Sequence, residues 1–556
     1  MSGNREVIYR RLGILALYLL VILLTGARFM ADTADYVSSV LAYNSGRNLD
    51  FWEFGHLFWR PLGWLLFVAL GPLIRAFTGG DSFRGVVSVF LIVNWIAGLV
   101  SVYALNGICR KLSDSRWAAG FVTVVFIFSH GFLNYTQTGS AYIPGLALLL
   151  TGLYFLTARN DDLERSLKTA IIAGILFGAA VCTWFPYVLS IPAAIALPIL
   201  FFGINRTRCW LLIVTAAAFA VFTGLAYVTV VVGILRIGTL AGFKVWMSAA
   251  SHDTDLSGVT RMVFGFARSF IYMGNDGIVF KRYLLKDPFN PVTLVDLFRL
   301  SVWKLCLFYG MAAATCFSLL RSDKGRRTLC FLILTGIPVI LFAIFFDGGA
   351  VERYLPLYPA IFISFAVAIC CVKSFPAMKY ISMVFGVVLI SVNAGAMAKS
   401  VLNREQQATL ARIGDLQQRI KPQDRILMVS WNDELVNFNR SFPFHPLNRY
   451  GNFRVGALVT PGTTSVSDWK KEFAKQALEV WRNDGDLWVS RRILSKKPRA
   501  EWNWVEGDER RVSWPDFFTF FSQVGMGESV GGEDGSMLVL PSDANQRFLG
   551  EFLKEK

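Results

Sequence analysis

The feature that most limits what this chain can fold into is a series of about 11 apolar runs, each close to the roughly 20 residues a helix needs to cross a bilayer. They fall near Leu12–Met30, Val86–Cys109, Trp117–Phe132, Ile143–Ala158, Ala170–Trp184, Val188–Phe202, Trp210–Ile234, Leu300–Leu320, Leu329–Phe346, Leu355–Cys371 and Ile381–Ala398. In hydrocarbon every backbone N–H and C=O must be satisfied within its own segment, so such runs are helices. With 54% hydrophobic and 17% charged residues, the composition agrees. The expected fold is a polytopic α-helical membrane domain over residues 1–398, followed by a soluble α/β domain over 399–556.

A further apolar stretch, Leu62–Phe77, is short, is interrupted by Pro72 and carries Arg75. Basic loops settle its expected placement. If it lies along the interface as one helix, all the basic loops fall on one side. These loops carry Arg5/Arg10/Arg11, Arg110/Lys111/Arg116, Arg159/Arg165/Lys168, Arg206/Arg208, Arg321/Lys324/Arg326/Arg327 and Lys373/Lys379. The positive-inside rule makes that side cytoplasmic. The outer side then holds 31–85, 130–142, 236–298, 347–354 and the tail. Arg5, Arg10 and Arg11 precede an apolar run that reads as a retained first helix.

The net charge of +16 gives no reason to invoke nucleic acid. From Lys399 onward there are about 23 basic and about 21 acidic residues, so the excess belongs to the membrane part, with no basic stripe. The 8 cysteines all lie in or beside apolar runs, without CxxC spacing, and read as packing residues. No metal-ligand motif and no cofactor motif is present, so metal-independent chemistry is expected.

In the tail, Asp424–Ser430, Phe453–Thr460, Leu487–Ser490 and Ser536–Leu540 are strand-like. Ser467–Val480 and Trp514–Val524 have helical patterns, with Ser467 or Asp468 as N-cap. Gly525–Gly535 reads as a Gly- and acid-rich loop.

Function concentrates in two outer stretches. The first is Ala31–Gly63, with Asp32, Asp35, Glu53, His56 and Arg60 close behind the first apolar helix. Carboxylates at such a position face water and mark a site. Asp32 and Asp35 are one helical turn apart, as are His56 and Arg60 if the segment is helical. Glu53 reads as an exposed carboxylate. The second stretch, Asp347–Pro359, contains Glu352-Arg353-Tyr354 at the start of a membrane helix, where an arginine beside a helix N-terminus suits phosphate. The long loop 236–298 adds Lys244, His252, Asp253, Asp255 and Arg261. The adjacent Ser251-His252-Asp253 is not in itself a triad. Tyr135, Gln137 and Tyr142 are candidates for the pocket mouth, with core packing the alternative.

Asp32-Thr33-Ala34-Asp35-Tyr36 resembles the Asp-Glu-x-x-Tyr opening of the aminoarabinose and protein-mannosyl transferases. Asp50-Phe51-Trp52, His56 and Arg60-Pro61-Leu62 resemble the matching region of tetratricopeptide-bearing O-mannosyltransferases. Arg353-Tyr-Leu-Pro-Leu-Tyr-Pro359 resembles a late segment common among GT-C glycosyltransferases. The chain is thus similar to that superfamily, with Thr33 where the motif has its second carboxylate. The resemblance implies sugar transfer from a polyprenyl-phosphate donor to a glycan, lipid or protein acceptor; the loop charges put it at the outer face, and the sequence carries no eukaryotic retention signal, so a bacterial inner membrane is expected. It implies a catalytic role for Asp32, as base; Asp35, one helical turn on, is expected to stand in for the missing second carboxylate. Substrate or phosphate contacts would come from His56, Arg60, Glu352, Arg353, Tyr354, Lys244 and Arg261. The alternatives are a transporter or flippase of lipid-linked sugars and a non-catalytic envelope assembly protein.

Overall fold

The structure is a computed structural model. It describes residues 2–26, 31–47, 51–80, 82–157, 163–249, 258–274, 276–371, 377–401, 419–421, 423–430, 454–459, 469–499, 512–530 and 535–554. Asp50, the group Ser251, His252, Asp253 and Asp255, the loop cations Arg159 and Lys373, and the expected N-caps Ser467 and Asp468 lie outside the described residues.

Among the described residues, 8 helices are long and apolar enough to cross a membrane. Three shorter apolar helices, Leu12–Thr25, Arg116–Ile127 and Tyr142–Leu156, complete a one-to-one match with the apolar runs of the sequence. The first helix begins earlier than expected, at Ser2, and ends at Thr25. The stretch expected as one helix over Leu62–Phe77 is two, Trp59–Ala69 and Gly71–Thr78, bent by 77°. Pro72 sits in the first turn of the second, where its missing N–H removes no helical bond.

The chain divides into two compact units. Unit 1 comprises Met1–Arg28, Asp35–Tyr272 and Lys304–Val401. At its centre is the span Val351–Cys370, most of it buried; at its rim is Arg206–Ile234, of which almost none is buried. The rim helix is held by small residues. A Cβ on Gly174 would meet the Thr215 carbonyl oxygen at 2.6 Å, and one on Gly178 would meet the Phe222 ring at 2.6 Å. This GxxxG pair lets two backbones approach closely, which is how helices associate where lipid supplies no hydrophobic drive. Side-chain caps start three helices next to basic residues: Ser115 accepts from Ala118 N, Asn205 from Arg208 N, and Ser322 from Gly325 N.

Unit 2 comprises Phe29–Ala34, Met273–Trp303 and Leu402–Lys556. It thus takes in part of the long loop that the sequence assigns to the membrane domain. Its sheet has five strands: β1 (Arg425–Ser430), β2 (Arg454–Val459), β3 (Leu487–Ser490), β4 (Met526–Val530) and β5 (Ser536–Val539). The order is β2-β1-β3-β5-β4, with β2, β1 and β3 parallel and the β5 and β4 pairings antiparallel. Helix Trp469–Arg482 covers it, stacking Trp469 on Phe517 of helix Trp514–Phe521 at 4.4 Å. Two elements differ from expectation. β4 occupies part of the Gly-rich loop, and Asp543–Lys554 is a helix. The β4 sequence, MGESV, has little strand propensity; its pairing with β5 decides its conformation.

Candidate active site

The candidate site lies in unit 1 and begins with a short loop that the surrounding helices pin in place. Phe51 stacks on Tyr43 at 3.8 Å. Trp246 Nε1 donates to the Trp52 carbonyl, and the Tyr227 hydroxyl to the Phe54 carbonyl. Phe58 N donates to Cys182 O, and Trp59 Nε1 to Gly139 O. Residues 54–56 form one 3-10 turn, and the helix Trp59–Ala69 follows. That helix presses Gly63 against Phe90, whose ring a Cβ would meet at 2.3 Å.

The pinned loop gathers three charged or polar side chains. The Glu53 carboxylate lies 3.2 Å from His56 Nδ1 and 2.5 Å from Arg60 Nη1. A carboxylate only accepts, so Nδ1 carries a proton and donates to it. The Tyr36 hydroxyl lies 3.1 Å from Nε2, within hydrogen-bonding distance. The Arg60 guanidinium also lies 5.2 Å from the centre of the Tyr36 ring. Burial alone would raise the Glu53 pKa. The hydrogen bond and charge of His56 and the charge and hydrogen bond of Arg60 outweigh it, bringing the carboxyl from 4.5 down to about 2. Glu53 is therefore a paired anion, not the exposed carboxylate expected of it.

The second stretch reaches the same place. Asp347 adopts a left-handed φ of 62°, and its side chain accepts from Gly349 N at 3.1 Å. The Tyr354 hydroxyl is within bonding distance of the carbonyls of Gly348, at 2.7 Å, and Met262, at 3.1 Å. Tyr354 is fully buried, and this hydroxyl braces the turn. The 3-10 segment Val351–Leu357 then presents Glu352, which accepts a hydrogen bond from the Tyr135 hydroxyl. The Arg353 guanidinium lies 5.6 Å from the Phe342 ring centre and interacts electrostatically with Glu352, Tyr142, Asp347 and Tyr135.

Aromatic rings join the two stretches. His56 is 6.5 Å from Tyr142, which is 4.8 Å edge-on from Tyr135 and 4.7 Å from Trp184. The row from Arg60 through Glu53, His56, Tyr142 and Tyr135 to Glu352 and Arg353 joins residues more than 290 positions apart in sequence. Two arginines, two carboxylates and an aromatic wall suit a sugar bearing a phosphate: guanidinium forks match phosphate oxygens, and rings pack on sugar faces.

The other expected site residues lie elsewhere or play other parts. Asp32 is half-buried in the first turn of the helix Ala31–Asn44, and Asp35 is exposed one turn on. Lys244, on helix Leu240–Ala249, and Arg261, on helix Gly258–Phe270, are both exposed, and no recorded hydrogen bond or ion pair joins either to the row among the described residues. Gln137 is fully buried and donates to Ile22 O and Thr25 Oγ1, which fixes the end of the first helix. Sequence reading undervalued Glu53; the spacing Glu53-x-x-His56-x-x-x-Arg60 is the signal that could have found it.

No protein-family model matches the sequence, and a search of curated proteins gives no match. Solved structures do match. The crystal structure of ArnT from Cupriavidus metallidurans bound to undecaprenyl phosphate aligns over 97% of this chain and 99% of that one, at TM-score 0.52 and 11% identity. Its apo form aligns over 99% of each chain at TM-score 0.52 and 10% identity. The chain has the GT-C fold. The oligosaccharyltransferase AglB from Archaeoglobus fulgidus aligns over 97% of this chain and 77% of its own, at 0.44 and 15%. The GT-C fold here is a polytopic helical membrane protein carrying a small α/β sheet near its C-terminus.

Proposed function

We propose that this protein is a glycosyltransferase that moves a sugar from a polyprenyl-phosphate donor to an acceptor hydroxyl at the outer face of a bacterial inner membrane. The observation that carries the reading is the convergence, within a GT-C fold, of the Glu53–His56–Arg60 group with Glu352–Arg353 across Tyr142 and Tyr135. Undecaprenyl phosphate bound to ArnT, a protein of the same fold, supports a lipid phosphate as the carrier.

In this reading Arg353 and Arg60 hold the donor phosphate. Glu53 and His56 position Arg60, and Tyr354 positions the Arg353 turn. Asp32, in the helical turn before Tyr36, takes the proton from the acceptor hydroxyl, with Asp35 beside it on the same helix. The acceptor oxygen bonds to the anomeric carbon as the bond to the phosphate oxygen breaks, with inversion. The lipid phosphate leaves carrying the negative charge that the arginines stabilise. The positive-inside pattern supports a cytoplasmic N-terminus and an outward-facing tail.

The test is transfer from a labelled polyprenyl-phosphate sugar in membranes containing wild type or Asp32→Asn. The reading expects label to move to an acceptor with wild type and transfer to fall at least about a hundredfold in the variant, within the range of a general base. Undiminished transfer by Asp32→Asn would remove Asp32 from the mechanism. Absence of any wild-type transfer across a panel of such donors would end the transferase reading.

A further inference from the structure

Unit 1 has a cavity at the other end of its long helix Ser82–Ser113 from Phe90. Phe90 packs on Tyr36 and Trp59, and Arg110 lies about 20 residues further along the same continuous helix, Ser82–Ser113. At 1.5 Å per residue that separates them by about 30 Å, the thickness of a bilayer core. There, between the first helix, Ser82–Ser113 and Arg116–Ile127, is a cavity of about 420 Å³. Arg110, Arg116 and Asn106 line one part, and Ile14, Leu17 and Val124 the apolar remainder.

Two other cations at this end are held in ion pairs. Lys324 is paired with Asp114 at 2.6 Å, and Arg326 with Asp323 at 2.7 Å. Among the described residues, neither Arg110 nor Arg116 has an ion-pair or hydrogen-bond partner. Both line a space whose remaining wall is largely apolar. Trp117 stands at the cavity with its ring stacked on Phe121, and Lys379 lies 5.1 Å from the centre of that ring, adding a third cation nearby. An interfacial arginine with no pocket would snorkel into headgroups at large. Here a partly open cavity within the usual size range of ligand sites is lined by both arginines.

We infer that this cavity binds one anionic phospholipid of the membrane leaflet opposite the candidate active site. Its phosphate bonds to Arg110 and Arg116, and an acyl chain lies along Ile14, Leu17 and Val124. Two guanidinium forks match a phosphodiester's oxygens, while the apolar wall favours a chain-bearing ligand over a soluble phosphate. This inference does not depend on the transferase reading.

The experiment is titration of the purified full-length protein, in neutral detergent, with phosphatidylglycerol, read by native mass spectrometry and thermal unfolding. Wild type retains one lipid saturably, with a matching rise in Tm. Replacing both arginines (Arg110→Ala with Arg116→Ala) weakens retention about tenfold or more, as expected for lost charge-assisted hydrogen bonds. Gly120→Leu keeps both charges and fills the cavity, since a Cβ there meets only Ile14 Cδ1, at 4.0 Å. It weakens retention too, and it decides the matter if the double variant fails to fold. Arg327→Ala, an exposed cation that does not line the cavity, leaves retention unchanged. Unaltered retention in Gly120→Leu, an equal loss in Arg327→Ala, or equal protection by inorganic phosphate or glycerol phosphate would each overturn the inference.

Discussion

Glu53 and Arg60 meet at 2.5 Å, with Arg60 only 6% exposed. A guanidinium that deep in the protein needs its counter-ion. Glu53 also binds His56, so one carboxylate sets the orientation of both neighbours. Removing one partner of a buried pair leaves the other's charge uncompensated. Glu53→Gln is therefore expected to destabilise the protein by about 1.5–3 kcal/mol, the range for hydrogen bonds to charged groups. Thermal unfolding in detergent measures it, and a double-mutant cycle with Arg60→Gln isolates the coupling.

The same pair gives a pH dependence of known sign. The folded carboxyl titrates at about 2, below its ordinary 4.5. A depressed carboxylate contributes its full stability above the unfolded value and loses it as pH falls through the folded one. Stability from Glu53 should be complete above about pH 4.5 and disappear between there and about pH 2. Unfolding curves of wild type and Glu53→Gln should converge across that window. Parallel curves would contradict the pairing.

Much of this was legible in the sequence, for identifiable reasons. The helices were, because apolar runs admit one backbone solution in lipid. Strands β1, β2, β3 and β5 were, because their β-branched and apolar residues announce them. β4 was not, since its pairing with β5 overrides its composition. At the site, His56, Arg60 and Arg353 stood out as unusual residues among apolar ones. Glu53 did not, because exposure is a tertiary property; its two partners bury it. Nor did the bridging part of Tyr135 and Tyr142, which depends on how the helices His130–Tyr135 and Tyr142–Leu156 pack.

Tyr135 links the two halves of the candidate site through its hydrogen bond to Glu352. Tyr135→Phe keeps the ring against Tyr142 and removes that bond. Sugar transfer is expected to fall about tenfold, equivalent to roughly 1.4 kcal/mol, a typical single hydrogen bond. The Tm should fall as well, since the bond also contributes to stability. A donor-consumption assay run beside thermal unfolding separates the two effects.

Gly63 tests the packing that positions Arg60. A Cβ there would lie 2.3 Å from the Phe90 ring. Gly63→Val should cost about 1–3 kcal/mol through overpacking. Adding Phe90→Ala should restore part of the loss, because it removes the ring that the new side chain strikes. Unfolding temperatures of the two single variants and the double variant give the answer.

The central claim is that the row from Arg60 to Arg353 receives the phosphate of a lipid-linked sugar. The most direct measurement is a cryo-EM map of the full-length protein with added polyprenyl phosphate. The account predicts phosphate density within hydrogen-bonding distance of the Arg353 guanidinium, beside Tyr142, and its loss in Arg353→Gln. Phosphate bound away from both Arg60 and Arg353, or unchanged in that variant, would contradict it.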